Sequence, residues 1–277
     1  MTVQNNAGMG KKVLLEVKNL SLHFGGVTAV NDVSFVIGEN ETLALIGPNG
    51  AGKSSLFNCV TALYKPQTGS IQFYSGAGSH DLTRFSPHQV AGLGIARTFQ
   101  NIELFGGLTV LENILLGRHL HFKINLFHTL LGTPTWAKTE SQQIKRVNAM
   151  IELLELQPYK NRRVRDLPYG VQKIVEIGRA LVSEPKLLLM DEPVAGLTSE
   201  EKDELVTRLL ELKKELGLSI LLVEHDIWVV SRLAERIVVL EYGRKIADGS
   251  PQEIRNDPAV IAAYLGEEAD TLREGAV

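Results

Sequence analysis

The chain has 277 residues, of which 44% are hydrophobic and 22% charged, and its formal net charge at pH 7 is −3. These values are typical of a globular protein with a large core, and they exclude a global basic field of the kind that attracts nucleic acid. The single cysteine, Cys59, excludes an internal disulfide, fits a reducing compartment and is predicted to be buried in the core.

The first predicted elements form a β-hairpin. Residues 1–12 are predicted to be a loose leader, because they are polar and lack the apolar run of a signal peptide. Residues 13–24 and 29–37 alternate apolar with polar side chains, and the pair Gly25-Gly26 turns the chain between them. No stretch of the chain offers 18 uncharged apolar residues, so the sequence predicts a cytosolic protein without a membrane span.

A short apolar strand then leads into a glycine-rich turn, followed by a helix predicted to open at Ser54. The turn fits G-x-x-x-x-G-K-[ST], the phosphate loop of nucleotide triphosphatases. Glycines let backbone N–H groups approach a polyphosphate, and the positive end of the helix adds to their field. Lys53 supplies a cation for the β- and γ-phosphates, and the Ser54 hydroxyl can ligate Mg²⁺. The predicted nucleotide-binding residues of the loop are Gly47, Pro48, Asn49, Gly50, Ala51, Gly52, Lys53, Ser54 and Ser55.

From residue 101 to 166 the pattern becomes helical, with apolar side chains at i, i+3 and i+4 in 110–116 and 144–154. This segment is predicted to be a helical subdomain inserted in the main one. Within it, residues 120–136 combine many apolar side chains with few charges. Two interpretations remain open for that stretch: a buried hairpin, or a surface that docks against the helices of a partner.

After residue 166 the pattern alternates between strands and helices. The apolar runs 186–191 and 219–224 predict parallel strands that are covered on both faces. A capping box at 198–201 opens a long charged helix, and residues 237–246 predict a hairpin. Ser250 caps a final helix with a proline at its first position.

The strand that ends at Asp191 is followed directly by a second acid, Glu192. Alone, such a pair often marks a strand that leaves the core, but next to a phosphate loop it predicts the second half of a nucleotide site. Asp191 can hold the Mg²⁺ shell, and Glu192 can activate a water. An acid beside the metal ligand favours general-base hydrolysis over positioning by a glutamine or an arginine finger alone.

These motifs, in this order, resemble the ATP-binding subunit of ABC transporters across almost the whole chain. The resemblance implies an α/β fold with a P-loop NTPase (RecA-like) core, an antiparallel β subdomain and an inserted helical subdomain. Residues 13–100 and 167–250 would form the core with its β subdomain, and 101–166 the helical subdomain. Residues 251–277 would form a C-terminal helix and tail, with ATP and Mg²⁺ as the bound groups.

The resemblance also implies roles for single side chains. Phe24 would stack on adenine, and Gln100 would sense Mg²⁺ and the attacking water and couple to the membrane subunits. Asp191 and Glu192 match the metal-binding aspartate and the catalytic glutamate. His225 matches the switch histidine near the γ-phosphate.

Two loops match the parts of this family that face the opposite subunit of a dimer. The signature loop, which contacts the partner's nucleotide, corresponds to Leu167, Pro168, Tyr169, Gly170 and Val171. Pro168 replaces the usual serine and Val171 the usual glutamine, whereas the tyrosine is usual for this branch. The dimer-crossing loop corresponds to residues 195–198 and has Thr198 where aspartate is commonest. These departures bear on the partner's nucleotide and leave the chain's own phosphate loop intact.

The branch resembles the branched-chain amino acid importers, and in particular the LivG type of ATPase subunit, on the motifs 24–30 and 97–101, the insert 118–140 and the ending 263–266. The partners implied are a second ABC ATPase subunit, identical or different, transmembrane permease subunits and, indirectly, an external substrate-binding protein, with no nucleic acid. The implied location is the inner face of the cell membrane.

Several alternatives remain. Urea or amide importers share much of this pattern, and a lipopolysaccharide-type or exporter ATPase is disfavoured by the insert. A soluble ABC ATPase that acts on the ribosome or in DNA repair is disfavoured, because it would need a second cassette or a long coiled coil and the sequence predicts neither. A regulatory module without turnover would lack the acid at 192 or the histidine at 225.

Overall fold

The computed structural model describes residues 11–76, 78–119 and 134–264, and only the backbone of residues 134–140. The strands are β1 (Val13–Phe24), β2 (Val27–Gly38), β3 (Thr42–Ile46), β4 (Thr68–Ser75), β5 (Gly78–Asp81), β6 (Ile95–Arg97), β7 (Leu187–Asp191), β8 (Ser219–Val223), β9 (Arg236–Glu241) and β10 (Arg244–Gly249). The helices are α1 (Lys53–Val60), α2 (Pro87–Gly92), α3 (Val110–Leu116), α4 (Pro134–Leu153), α5 (Tyr169–Leu181), α6 (Ser199–Leu216), α7 (Ile227–Leu233) and α8 (Pro251–Arg255). Residues 258–264 are also helical.

The strands form two sheets. The first is antiparallel, with the order β2-β1-β4-β5, and the second has the order β10-β9-β3-β8-β7-β6. In the second sheet every neighbouring pair from β9 to β6 is parallel, and only β10 runs antiparallel to its neighbour. The predicted hairpins at 13–37 and 237–246 are confirmed, as are the two parallel strands that end at 191 and 223.

The central strands β3, β7 and β8 of the second sheet are buried on both faces, as the continuous apolar runs predict. In β3, Leu43 and Leu45 pack into the core that is shared with the antiparallel sheet and α1, whereas Ala44 and Ile46 face a smaller core beside α7 and α8. Successive residues of a strand point to opposite faces, so both faces need apolar side chains. The sheet thereby fixes the strand ends that carry the polar side chains described below.

The helix boundaries follow local capping signals. The Thr198 hydroxyl accepts the N–H of Glu201 at 3.3 Å, while the Glu201 carboxylate accepts the N–H of Thr198 at 2.9 Å. The capping box predicted for α6 is confirmed, and so is the Ser250 cap predicted for α8, which the structure shows as a capping box with Glu253. α1 begins at Lys53, one residue before the position expected from the motif, because Gly52 in the left-handed region serves as its N-cap.

The helical stretches predicted at 110–116 and 144–154 are present as α3 and as part of α4, which extends further towards the N-terminus. Their buried side chains share one core with α5, α6 and α7. Most of the apolar stretch 120–136 lies outside the described residues, so both interpretations of it stay predictions.

Cys59 lies in α1 and is buried, as predicted, and burial raises the pKa of its thiol to about 12. In the part of the chain that the structure describes, no helix combines the length and the apolar character needed to cross a bilayer.

Candidate active site

Four neighbouring strands bring the predicted site residues to one edge of the second sheet. β3, β8, β7 and β6 are adjacent and parallel, so their carboxyl ends lie side by side. β3 leads into the phosphate loop, β7 ends at Asp191, and β8 is followed by Glu224 and His225. In open α/β sheets this edge is where ligands bind.

The phosphate loop has the backbone geometry that its glycines allow. Gly47, Gly50 and Gly52 have φ angles of 146°, 75° and 98°. A Cβ atom would lie 2.0 Å from the carbonyl oxygen of Leu240 at Gly47, and 2.2 Å from that of Ala29 at Gly52. These two positions therefore exclude any side chain, because neighbouring backbone would have to move.

Lys53 is directed back over this loop. Its Nζ donates to the carbonyl oxygens of Gly47 at 2.6 Å and Pro48 at 2.8 Å. The ammonium group, the helix start and the loop amides are thus concentrated in one short segment, which is the arrangement that binds a polyphosphate.

Asp191 and Arg97 form a largely buried ion pair. Arg97 Nη2 donates to Asp191 Oδ2 at 2.9 Å, and its Nη1 donates to Asn58 Oδ1 at 2.6 Å. Arg97 therefore links β6, β7 and α1, the helix that follows the phosphate loop. Arg97 belongs to the motif 97–101, but nothing in the local sequence indicates that it pairs with Asp191 and Asn58.

Glu192 lies between Gln100 and His225. Gln100 Nε2 donates to Glu192 Oε2 at 2.8 Å, and His225 Nδ1 lies 3.7 Å from Glu192 Oε1. Glu192 has a φ of 47°, and its N–H donates to the carbonyl oxygen of Val223 at 2.9 Å. Such a left-handed backbone costs a non-glycine residue about 1–3 kcal/mol and is frequent at functional sites. The structure thus joins three predicted site residues that come from three separate segments.

Phe24, the predicted adenine platform, is 47% exposed at the end of β1. Its ring contacts that of Tyr64 edge to face, with 5.1 Å between centroids and an interplanar angle of 77°. Tyr64 follows α1, so the aromatic pair adjoins the element that begins in the phosphate loop. No motif in the sequence marks Tyr64 as part of the site.

Residues 30–195 match the family model described as "ABC transporter". The chain belongs to the ABC transporter family. Residues 244–270 match a second model, described as "Branched-chain amino acid ATP-binding cassette transporter". The fold class inferred from the sequence is confirmed, and the chain is an ATP-binding ATPase subunit of an ABC transporter.

Similar proteins support the same assignment. The branched-chain amino acid transport ATP-binding protein LivG of Salmonella typhimurium is 42% identical over 254 residues, which cover 92% of this chain and 98% of LivG. BraF of Pseudomonas aeruginosa is 38% identical over the same shares. A solved ATP-binding cassette of an ABC transporter in its ADP conformation has a TM-score of 0.78 and 31% identity, covering 92% of this chain and 99% of that one.

In this ABC cassette the two loops predicted to face a partner adjoin each other. A Cβ atom at Gly196 would lie 3.2 Å from the Tyr169 ring, and one at Gly170 would lie 2.9 Å from the Glu201 carboxylate. Pro168 is the N-cap of α5 and provides no side-chain cap hydrogen bond. Residues 167–171 therefore lie directly beside the loop 195–198 and the start of α6.

Three buried charged residues behind the site were not predicted from the sequence: Lys173, Glu176 and Glu224. Burial raises the pKa values of the Glu176 and Glu224 carboxyls and lowers that of the Lys173 ammonium. The only sequence signal for Glu224 is its place at the end of an apolar strand, directly before His225. Lys173 and Glu176 lie on an amphipathic helix, and the sequence of such a helix does not indicate which groups its charged side chains contact.

The donor set suits Mg²⁺. Ser54, Asp191 and Gln100 offer hydroxyl, carboxylate and carboxamide oxygens, which are the hard donors that Mg²⁺ prefers. Among the described residues no group of three or more His, Cys, Asp or Glu side chains could hold a metal ion. A protein-only cage is not required, because Mg²⁺ in nucleotide sites is commonly held by one or two carboxylates, phosphates and waters.

Proposed function

We propose that this chain hydrolyses ATP to drive an importer of branched-chain or similar apolar amino acids. The observation that carries the hydrolytic part is the contact of Gln100 and His225 with Glu192. His225 follows β8, the strand that pairs with the one leading into the phosphate loop. Phosphate binding and water activation then lie at one sheet edge, as a nucleotide triphosphatase requires.

In this proposal each side chain acts from where it lies. The loop Gly47–Ser54, with Ser55, holds the phosphates through N–H groups and Lys53, and Phe24 stacks on adenine. Glu192 accepts the proton of the attacking water, while Gln100 orients that water. His225 lies on the exposed side of Glu192 and donates towards the γ-phosphate.

Ser54, Asp191 and Gln100 would hold Mg²⁺, which supplies charge neutralisation at the β- and γ-phosphate oxygens. Arg97 donates to Oδ2 of Asp191 and so fixes the orientation of the carboxylate. Residues 167–171 would serve the nucleotide of the partner, which is a second ABC ATPase subunit.

A groove of about 570 Å³ supports the expectation of permease subunits as partners. Its lining includes Ile95, Phe99, Phe105, Leu116 and Ala180, and it is mostly apolar. Phe99 precedes Gln100, so a helix of a membrane subunit in this groove would contact the segment that carries the water-orienting side chain. We therefore propose that the chain lies at the inner face of the cell membrane. We also propose that residues 13–100 and 167–250 form the core with its β subdomain and that residues 101–166 form the helical subdomain.

The amino acid substrate is supported by the match of residues 244–270 and by the names of LivG and BraF. Urea or amide import is the second candidate. Uptake of labelled leucine and of labelled urea, in cells that contain the assembled transporter, distinguishes them. Uptake of urea but not of leucine would overturn the amino acid assignment.

The substitution Glu192→Gln tests the hydrolytic part. It should leave ATP binding close to normal, because the phosphate loop is untouched, and lower turnover by about 10²- to 10⁴-fold through loss of the base. Binding is measured with a fluorescent ATP analogue and turnover by phosphate release from the assembled transporter. Glu215→Gln, the same change at an exposed position near the end of α6, is the matched control. Near-normal hydrolysis by Glu192→Gln would contradict the assignment.

A further inference from the structure

Lys173 lies on α5 with an exposed fraction of 1%. An ammonium group removed from water destabilises the fold unless it is hydrogen-bonded and paired. The Nζ atom donates to the backbone carbonyl oxygen of Gln100 at 2.8 Å. Burial lowers the pKa of Lys173, and the carboxylates of Glu176, Glu224 and Glu192 oppose that shift. The buried ammonium group of Lys173 thus binds the backbone of Gln100, the residue that we propose orients the attacking water.

Two more charged side chains of α5 contact the segment 99–103. Glu176 accepts the N–H of Phe99 at 3.4 Å and also that of Glu103. Arg179 Nη1 donates to the carbonyl oxygen of Glu103 at 2.6 Å. Helix positions three residues apart lie on the same face. One face of α5 therefore holds this segment at several successive backbone groups, with Lys173 at the end nearest the start of the helix.

Glu224 extends the same pattern to the neighbouring loops. Its Oε1 accepts the N–H of Val194 at 3.3 Å, and its Oε2 accepts the N–H of His225 at 3.1 Å. Val194 is two residues after Glu192. Glu224 thus binds backbone N–H groups at His225 and close to Glu192. Lys173 is the buried charged residue that binds the backbone of Gln100.

We propose that Lys173 is a positioning residue for ATP hydrolysis. By binding the backbone carbonyl oxygen of Gln100, it holds the side-chain amide of Gln100 in contact with Glu192. The inference rests on the role proposed for Gln100. Nucleotide binding in the absence of Mg²⁺ depends on the phosphate loop and Phe24, whereas the side-chain contact of Lys173 is with Gln100. Loss of the anchor should therefore lower turnover and leave ATP affinity unchanged, whereas a general loss of folded structure would lower both.

A double-mutant cycle on the full chain, assembled in its transporter, tests this. Lys173→Met should lower kcat by about 10- to 100-fold, the range for losing a charge-assisted hydrogen bond. The dissociation constant of a fluorescent ATP analogue, measured without Mg²⁺, should change by less than about twofold. Added to Gln100→Ala, the same substitution should lower kcat by less than about twofold more, because the side chain that it positions is already absent. The midpoint of thermal unfolding is recorded for every variant.

The outcomes separate this inference from the proposed function. If the two substitutions multiply in their effect on kcat, Lys173 does not act through Gln100 and the inference is overturned, while the role of Gln100 stands. If Gln100→Ala alone leaves kcat unchanged, the proposed role of Gln100 is itself wrong. Should Lys173→Met unfold the chain, the cycle is repeated in a Glu176→Gln background. There one buried carboxylate is replaced by a neutral carboxamide, whose oxygen can still accept the N–H of Phe99. The same two criteria apply.

Discussion

Phe24 depends on a second aromatic residue for its orientation. Its half-exposed ring meets Tyr64 edge to face, and the described neighbours give it no other ring contact. Aromatic pairs of this geometry are worth about 0.5–1.5 kcal/mol beyond the area they bury. We therefore expect the affinity for the base, but not for the phosphates, to depend on Tyr64.

Tyr64→Leu should weaken ATP binding by about two- to tenfold, the range that corresponds to losing such a pair. Tyr64→Phe keeps the ring and should bind ATP like the unchanged chain. Competition against a fluorescent ATP analogue measures both variants, with tripolyphosphate as a competitor that has no base. An equal loss for ATP and tripolyphosphate would show that the substitution damages the phosphate loop rather than the base platform.

At the scale of elements, α6 begins in the loop that is predicted to cross to the partner. The hydroxyl of Thr198 and the carboxylate of Glu201 satisfy each other's backbone N–H groups there. Threonine at this position therefore stabilises the start of an 18-residue helix, whatever role the loop has in a dimer.

Thr198→Ala should lower the free energy of unfolding of the isolated chain by about 0.5–2 kcal/mol, because the N–H of Glu201 in the first turn of the helix loses its partner. The midpoint of thermal unfolding should fall by a few degrees, at about 2–4 °C per kcal/mol. Thr207→Ala, the same change at an exposed position inside α6, is the control and should not destabilise, since alanine favours helix. An equal fall in both variants would contradict the capping role.

The elements that the sequence predicted well are those with local signals. The phosphate loop follows from its glycine spacing, β7 and β8 from continuous apolar runs, and α6 from its capping box. β6 was not predicted, because three residues carry no period of their own and pair only through β7. Likewise, the contact between Lys173 and Gln100 joins positions 73 residues apart, which no local pattern encodes.

At the scale of the whole molecule, the loop 167–171 predicts two unequal nucleotide sites in a transporter whose two ATPase subunits are different chains. Pro168 has neither a hydroxyl nor an N–H group, and the Val171 side chain cannot hydrogen-bond. The partner's nucleotide would then receive only the N–H groups at the start of α5. Losing one contact of about 1.5–3 kcal/mol would slow that site by tens- to hundreds-fold, and losing both would slow it further.

A transporter with two different ATPase subunits tests this asymmetry by paired substitution. Glu192→Gln here should abolish most turnover, because this chain's own phosphate loop lies in the stronger site. The matching substitution in the partner should have a smaller effect. Phosphate release is compared for the two variants at the same ATP concentration, with the unchanged transporter as reference. Equal losses would mean that the N–H groups of Gly170 and Val171 suffice and that the sites are equivalent.

The phosphate loop is held from outside by backbone of two other segments. The carbonyl oxygens of Ala29 in β2 and Leu240 in β9 close around Gly52 and Gly47, and Gly243 donates its N–H to Ala51 at 3.0 Å. Fixing one backbone residue costs roughly 1–2 kcal/mol of conformational entropy. Because these contacts form when the chain folds, that entropy is lost before the nucleotide binds. The binding entropy measured by calorimetry should therefore contain only a small unfavourable contribution from ordering of the loop. The affinity of the site is therefore set partly by β2 and by the turn after β9, two segments whose own side chains need never touch the ligand.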